Sequence, residues 1–97
     1  MKVLQTRILD AFSREHADAR KPLVAWEKEA RSATWRAPHD AQQCFPKVSI
    51  LKDSRCVFNI HGNRYRLIVK INYGVGVIQV RWCGTHDDYN RIKAEVV

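Results

Sequence analysis

The stretch Cys56–Tyr73, CVFNIHGNRYRLIVKINY, leaves the chain few options other than a β-hairpin. Two runs rich in β-branched and aromatic residues flank Gly62-Asn63, a pair suited to a tight turn. With those two residues as the loop, His61 faces Arg64, Ile60 faces Tyr65, Asn59 faces Arg66 and Phe58 faces Leu67. Side chains alternate across a strand, so one face collects Cys56, Phe58, Ile60, Tyr65, Leu67, Val69, Ile71 and Tyr73. The opposite face collects Val57, Asn59, His61, Arg64, Arg66, Ile68, Lys70 and Asn72. A third run follows Gly74 and Gly76. A loop at Gly74-Val75 sets Ile71 opposite Ile78 and Lys70 opposite Gln79, adding Ile78, Val80 and Trp82 to the apolar face and Gln79 and Arg81 to the polar one. A slip of one residue would mix the two faces, so the pattern itself selects this register.

A sheet with one apolar face needs a cover, and the first half of the chain has the period of helices. After a short strand over Lys2 to Gln5, a helix is expected over Arg7 to His16, capped by Thr6, with Ile8, Leu9, Ala11 and Phe12 inward. A second helix starts near Lys21 with Pro22 in its first turn. Its Leu23, Trp26, Ala30 and Ala33 share one side, and Glu27, Lys28 and Arg31 the other. From Trp35 to Asp53 the chain is irregular, broken by Pro38 and Pro46, with one helical turn around Asp40 to Phe45. The expected fold is α+β: two N-terminal helices packed on one face of a small antiparallel β-sheet, followed by a short C-terminal helix. Ninety-seven residues suit a single domain, residues 1–97.

Seventeen Lys and Arg against ten Asp and Glu give a net charge of +7. Their position matters more than their number. Arg64, Arg66, Lys70 and Arg81 concentrate on the polar sheet face, and the second and third strands contain no acid. Like charges on adjacent strands repel. A sequence that carries this cost without counter-charges points to an anionic ligand, and nucleic acid is the commonest one for a small basic domain. The competing reading is solvated charge that serves only solubility. Cys44, Cys56 and Cys83 have neither a CxxC pair nor zinc spacing, and are expected as buried small hydrophobes in a reducing compartment. No apolar run reaches signal-peptide or membrane-span length, so a cytoplasmic protein with no membrane partner is expected. No cofactor or metal is implied.

The third strand ends in RWCGTHDDY, Arg81–Tyr89, where a strand hands over to a helix. Gly84 allows the corner, and Thr85 with Asp88 fits a capping pair. His86 and Tyr89 are three residues apart and share one side of the helix start. His86 exchanges a proton near neutrality, and Tyr89 donates a hydrogen bond or stacks on a base. Taken singly, each is as well explained by capping and packing. Beside Arg66, Lys70 and Arg81 they make up the equipment for cutting RNA by attack of its own 2′-hydroxyl, a reaction that needs no metal. The catalytic candidates are therefore His86, Tyr89, Arg66, Lys70 and Arg81. The other polar residues of that face, Asn59, His61, Arg64 and Gln79, are the candidate RNA contacts. His16 and His39 stand alone in the helical half, where packing or exposure is the default.

The motifs VFN-x-x-GN-x-YRL (Val57–Leu67) and GTH-x-x-Y (Gly84–Tyr89), in that order, resemble the HigB-type toxins of bacterial type II toxin–antitoxin systems, within the RelE/ParE-like superfamily. The likeness also takes in the two-helix first half and the W-x-x-P of Trp35 to Pro38. It implies a RelE-like fold and a ribosome-associated, metal-independent endoribonuclease that cleaves mRNA and arrests translation. The implied partners are a HigA-type helix-turn-helix antitoxin and mRNA on the ribosome. His86 and Tyr89 match the GTH-x-x-Y positions, and Arg64 or Arg66, Lys70 and Arg81 match the basic sheet positions. Asn90 departs from the pattern, standing where many relatives carry an acid, and His61 is unusual in the hairpin. Some relatives poison gyrase instead, so a non-catalytic toxin of the same fold, or a basic RNA-binding module, is the alternative.

Overall fold

The computed structural model describes residues 1–97. In chain order the elements are β1 (Lys2–Leu4), α1 (Arg7–Glu15), a 3₁₀ turn (Ala17–Ala19), α2 (Arg20–Ser32), α3 (Pro38–Cys44), β2 (Ser49–Ile50), β3 (Arg55–Ile60), β4 (Tyr65–Asn72), β5 (Val77–Thr85) and α4 (His86–Tyr89). The architecture is α+β, but the sheet is mixed rather than antiparallel throughout. Its order is β1-β5-β4-β3-β2, and β1 lies parallel to β5. A parallel neighbour requires a long crossover, and the helical half of the chain supplies it. No helix is long and apolar enough to cross a membrane.

The hairpin pairs as its alternation demands. Ile60 faces Tyr65, Asn59 faces Arg66 and Phe58 faces Leu67. The loop closes with a 3.3 Å hydrogen bond from the Arg64 amide to the His61 carbonyl. Both His61 (φ 54°) and Gly62 (φ 64°) are left-handed, so a histidine takes a conformation that favours glycine. Between β4 and β5, Ile71 faces Ile78, Lys70 faces Gln79 and Val69 faces Val80 as expected.

Beyond that point the expected register fails. Ile68 pairs with Trp82, not Arg81, and Leu67 then pairs with Cys83. Arg81 is the extra residue of a β-bulge, and every later residue of β5 changes face. Trp82, expected in the core, lies on the outer face, while Cys83 takes its place against the core. Strict alternation has no means of showing an inserted residue, which is why the sequence pattern misplaced the indole. Gly84 makes room for it: a Cβ there would come within 2.4 Å of the Trp82 ring.

The core joins Leu9 of α1 and Leu23, Trp26 and Ala30 of α2 to Phe58, Leu67, Val69, Ile71, Ile78 and Val80 of the sheet. Phe58 anchors it, with the rings of Trp26 and Phe45 at 5.4 and 5.1 Å. Three smaller expectations are corrected. Thr6 makes no side-chain cap, because Gln5 at φ 62° turns the chain so that the Gln5 and Thr6 carbonyls accept the first amides of α1. Ala11 is exposed, lying to the side of the Leu9–Phe12 stripe. Cys44 is exposed rather than buried, at the end of α3, where its sulfur accepts from Trp35 Nε1 at 3.4 Å.

The fit of Trp82 over Gly84 is testable. Gly84→Ala is expected to cost about 1–3 kcal/mol through overpacking. Most of that cost is expected to vanish in the Trp82→Ala background, where the ring is gone. Urea unfolding of the four chains of this cycle measures the coupling.

Candidate functional site

Cross-strand pairing arranges the outer face of the sheet in rows. One row is Asn59, Arg66 and Gly84; the next is Val57, Ile68 and Trp82; the third is Arg55, Lys70 and Gln79. Arg81, displaced by the bulge, stands beside the third row and donates to Gln79 Oε1 at 3.2 Å. Lys70 is exposed and has no carboxylate partner. Arg66 is half-buried, held to Asn63 by bonds of 2.9 Å to its carbonyl and 3.2 Å to its side chain. The two-strand pattern thus produces the cationic face that the composition suggested.

The corner after β5 adds the remaining groups. Thr85 caps α4, its hydroxyl accepting the Asp88 amide at 3.1 Å. The His86 amide donates to the Arg64 carbonyl at 2.9 Å, which ties the start of α4 to the β3–β4 hairpin and presents an exposed imidazole at its edge. Tyr89 turns back over the sheet, with the Arg66 guanidinium 5.8 Å from its ring centre. The Trp82 ring lies 6.3 Å from that of Tyr89. Arg66, Tyr89 and Trp82 therefore form one contiguous cationic and aromatic surface, suited to a phosphate and a stacked base. No cluster of three His, Cys, Asp or Glu side chains is placed to hold a metal ion. Burial pushes the Cys83 thiol up to about 12 and also raises Cys56, so both stay in the neutral, unreactive form.

Two of the expected RNA contacts point elsewhere. Arg64 pairs with Asp18 at 2.7 Å, and His61 Nε2 lies 3.6 Å from the same carboxylate. Tyr65 donates to Asp18 as well, at 2.5 Å. Asp18 belongs to the 3₁₀ turn of the helical half, and it draws this end of the hairpin towards that half and away from the open cationic face. Asn59, exposed, and Gln79, half-buried, remain on the outer face. His16 stacks on Phe12 at 4.4 Å, a packing role.

Sequence reasoning missed four contributors. Trp82 was hidden by the bulge. Asp18 lies 46 residues from Arg64, and nothing local marks the pairing. Arg55 did leave a signal, since it precedes Val57 by two residues and so shares its face. The fourth is the segment after α4. It leaves Tyr89 near the Arg66 row and ends with a Val97 oxygen accepting from Arg55 (3.1 Å) and Arg81 (3.2 Å) in the third row. It therefore passes over the row between, and Val57 and Ile68, apolar residues on an otherwise polar face, are buried there outside the main core.

Compared with known proteins, residues 19–92 match a family model described as HigB toxin, the RelE-like toxic component of a toxin–antitoxin system. No curated protein matches the chain.

The Asp18 cluster has a definite pH signature. The Tyr65 hydroxyl first, and Arg64 after it, hold the Asp18 carboxyl below its usual range. The folded chain thus favours the carboxylate, so this stabilisation is present above about pH 4, the unfolded value, and is lost as pH falls through the depressed folded one. Asp18→Asn is expected to lower the melting temperature at neutral pH. The gap to the parent chain is expected to close as the pH drops below about 4, and thermal melts from pH 7 to 2.5 follow it.

Proposed function

The chain belongs to the HigB family of RelE-like toxins, the toxic components of toxin–antitoxin systems, and on that footing we propose that it is a ribosome-associated endoribonuclease that cleaves mRNA without a metal and so inhibits translation. The observation that carries this reading is the cluster of Lys70, Gln79 and the bulged Arg81 beside Arg66, with no acidic side chain among them and with His86 and Tyr89 at the edge of the same face. In the reaction, a 2′-hydroxyl attacks the adjacent phosphorus, the bond to the 5′-oxygen breaks, and a cyclic phosphate and a 5′-hydroxyl result. A base removes the proton of the 2′-hydroxyl, and an acid supplies one to the departing oxygen. His86 serves one of these roles. Arg66, Lys70 and Arg81 neutralise the charge that builds on the phosphate in the transition state. Tyr89 and Trp82 stack on a base and hold the phosphate in line. Asn59 and Gln79 add neutral hydrogen bonds along the strand.

A toxin of this family implies an antitoxin partner. We assign that role to a HigA-type helix-turn-helix protein, with mRNA on the ribosome as the substrate.

Mapping of mRNA 5′ ends after brief induction tests the reading. New ends phased with codons are expected for the parent chain and not for the His86→Ala/Tyr89→Ala double variant. In a purified assay with ribosomes and mRNA, His86→Ala alone is expected to slow cleavage by about 10²–10⁴-fold, the usual contribution of a general acid or base. Lys70→Ala is expected to slow it by about 10²–10³-fold through loss of charge stabilisation. Growth arrest with intact mRNA and damaged DNA would instead identify a gyrase-directed toxin of the same fold.

A further inference from the structure

We infer that Arg55 and Arg81 form a phosphate subsite on the outer face, occupied in the free chain by its own segment Asn90–Val97, which an RNA phosphodiester displaces. The inference rests on the outer face being the RNA surface. Two guanidinium groups, from strands separated by β4, converge on a single oxygen of Val97 at 3.1 and 3.2 Å. Lys70 stands on the strand between theirs, exposed and without an acidic partner, so a third cation borders the same place.

Arg55 is the informative member. Its side chain is 8% exposed, and its acidic side-chain partner, the exposed Asp53, is 4.0 Å away. Its Nε is buried with no acceptor. A buried guanidinium left with an unused donor is costly, and one oxygen cannot accept from both edges of the fork. A phosphate offers several oxygens in the geometry that a guanidinium binds in pairs. Val97 thus satisfies part of a site whose full complement is a larger anion.

The occupant is lightly held. The amides of Asn90, Arg91 and Ile92 continue the last turn by bonding to His86, Asp88 and Tyr89. Beyond them and the two arginine contacts, the segment has only an exposed ion pair, Lys52 to Glu95 at 3.7 Å, and a local turn bond from the Val96 amide to the Lys93 carbonyl. Val96 is 70% exposed, and a cavity of about 600 Å³ lined by Leu51, Tyr89, Ile92 and Val96 opens along the segment. Its removal uncovers Val57 and Ile68 next to Trp82, an apolar floor in the same row. The exposed Lys52–Glu95 pair contributes little; an RNA phosphate takes over both arginines and engages Lys70 as well, and a base stacked beside Trp82 covers the apolar floor that the segment leaves.

The test is a titration of the full-length, ¹⁵N-labelled chain with a 2′-O-methyl hexanucleotide, which cannot be cleaved. The Arg55 and Arg81 Nε–H signals are expected to shift and saturate together. The amides of Ala94–Val97 should move to positions typical of a mobile chain. Shifts at Lys70 and His86 without any at Arg55 or Ala94–Val97 would overturn the subsite and leave the RNA surface standing; no shift on the outer face would remove both. Arg55→Gln, with its fold checked by the same spectrum, is expected to weaken binding about tenfold and reduce the salt slope by about one. Unchanged affinity and slope in a folded Arg55→Gln chain also count against the subsite. If that variant does not fold, the titration of the parent chain decides.

Discussion

β4 pairs with β5 along its whole length, yet the pairing gains one residue at Arg81, and the outer face takes its form from that gain. Without the bulge, Trp82 would enter a core already filled by Phe58, Leu67 and Val69, and Arg81 would sit opposite Ile68. With it, Arg81 leaves the ladder and reaches towards Gln79 and Val97, the indole faces outward, and Gly84 lies beneath the ring. Bulges re-aim side chains at functional edges in this way. The corner that follows, with Thr85 capping α4, then delivers His86 and Tyr89 to the same edge.

Electrostatics divides the basic residues into two groups. At the hairpin end, Asp18 accepts from Arg64 and Tyr65 and lies near His61, so charge there is compensated from the helical half. On the open part of the face, Arg66 is held by Asn63, Arg81 by Gln79 and Val97, and neither these two nor Lys70 has an Asp or Glu partner. Repulsion among them is a standing cost that an anionic ligand relieves. The separation also explains why the net charge of the chain is a poor guide to its site: Arg64, one of the cations counted towards it, is already engaged by Asp18.

Much of the fold could be read from period and turn chemistry. The hairpin register, the polar and apolar division of β3 and β4, Pro22 in the first turn of α2 and the Thr85 cap all follow from contacts a few residues apart. The helical turn in the irregular region was legible too, and it proved to be α3 (Pro38–Cys44). The parallel pairing of β1 with β5 and the two-residue strand β2 were not. Both depend on partners far along the chain and on runs too short to carry a period. Among the candidate residues, Arg66, Lys70, Gln79 and Asn59 were placed by alternation. Arg55 was overlooked although alternation included it.

The sequence by itself determined which residues share a face as long as the strands stay regular, where the chain turns, and that one face is cationic. Those are consequences of side-chain period and of local backbone preference. Only the tertiary structure decided that Trp82 faces out, that Asp18 pairs with Arg64 and lies near His61, and that Asn90–Val97 lies across the outer face to meet Arg55 and Arg81. Each of these rests on an inserted residue or on a contact between distant segments. Such contacts are chosen by packing and charge in three dimensions, and they leave no period in the chain.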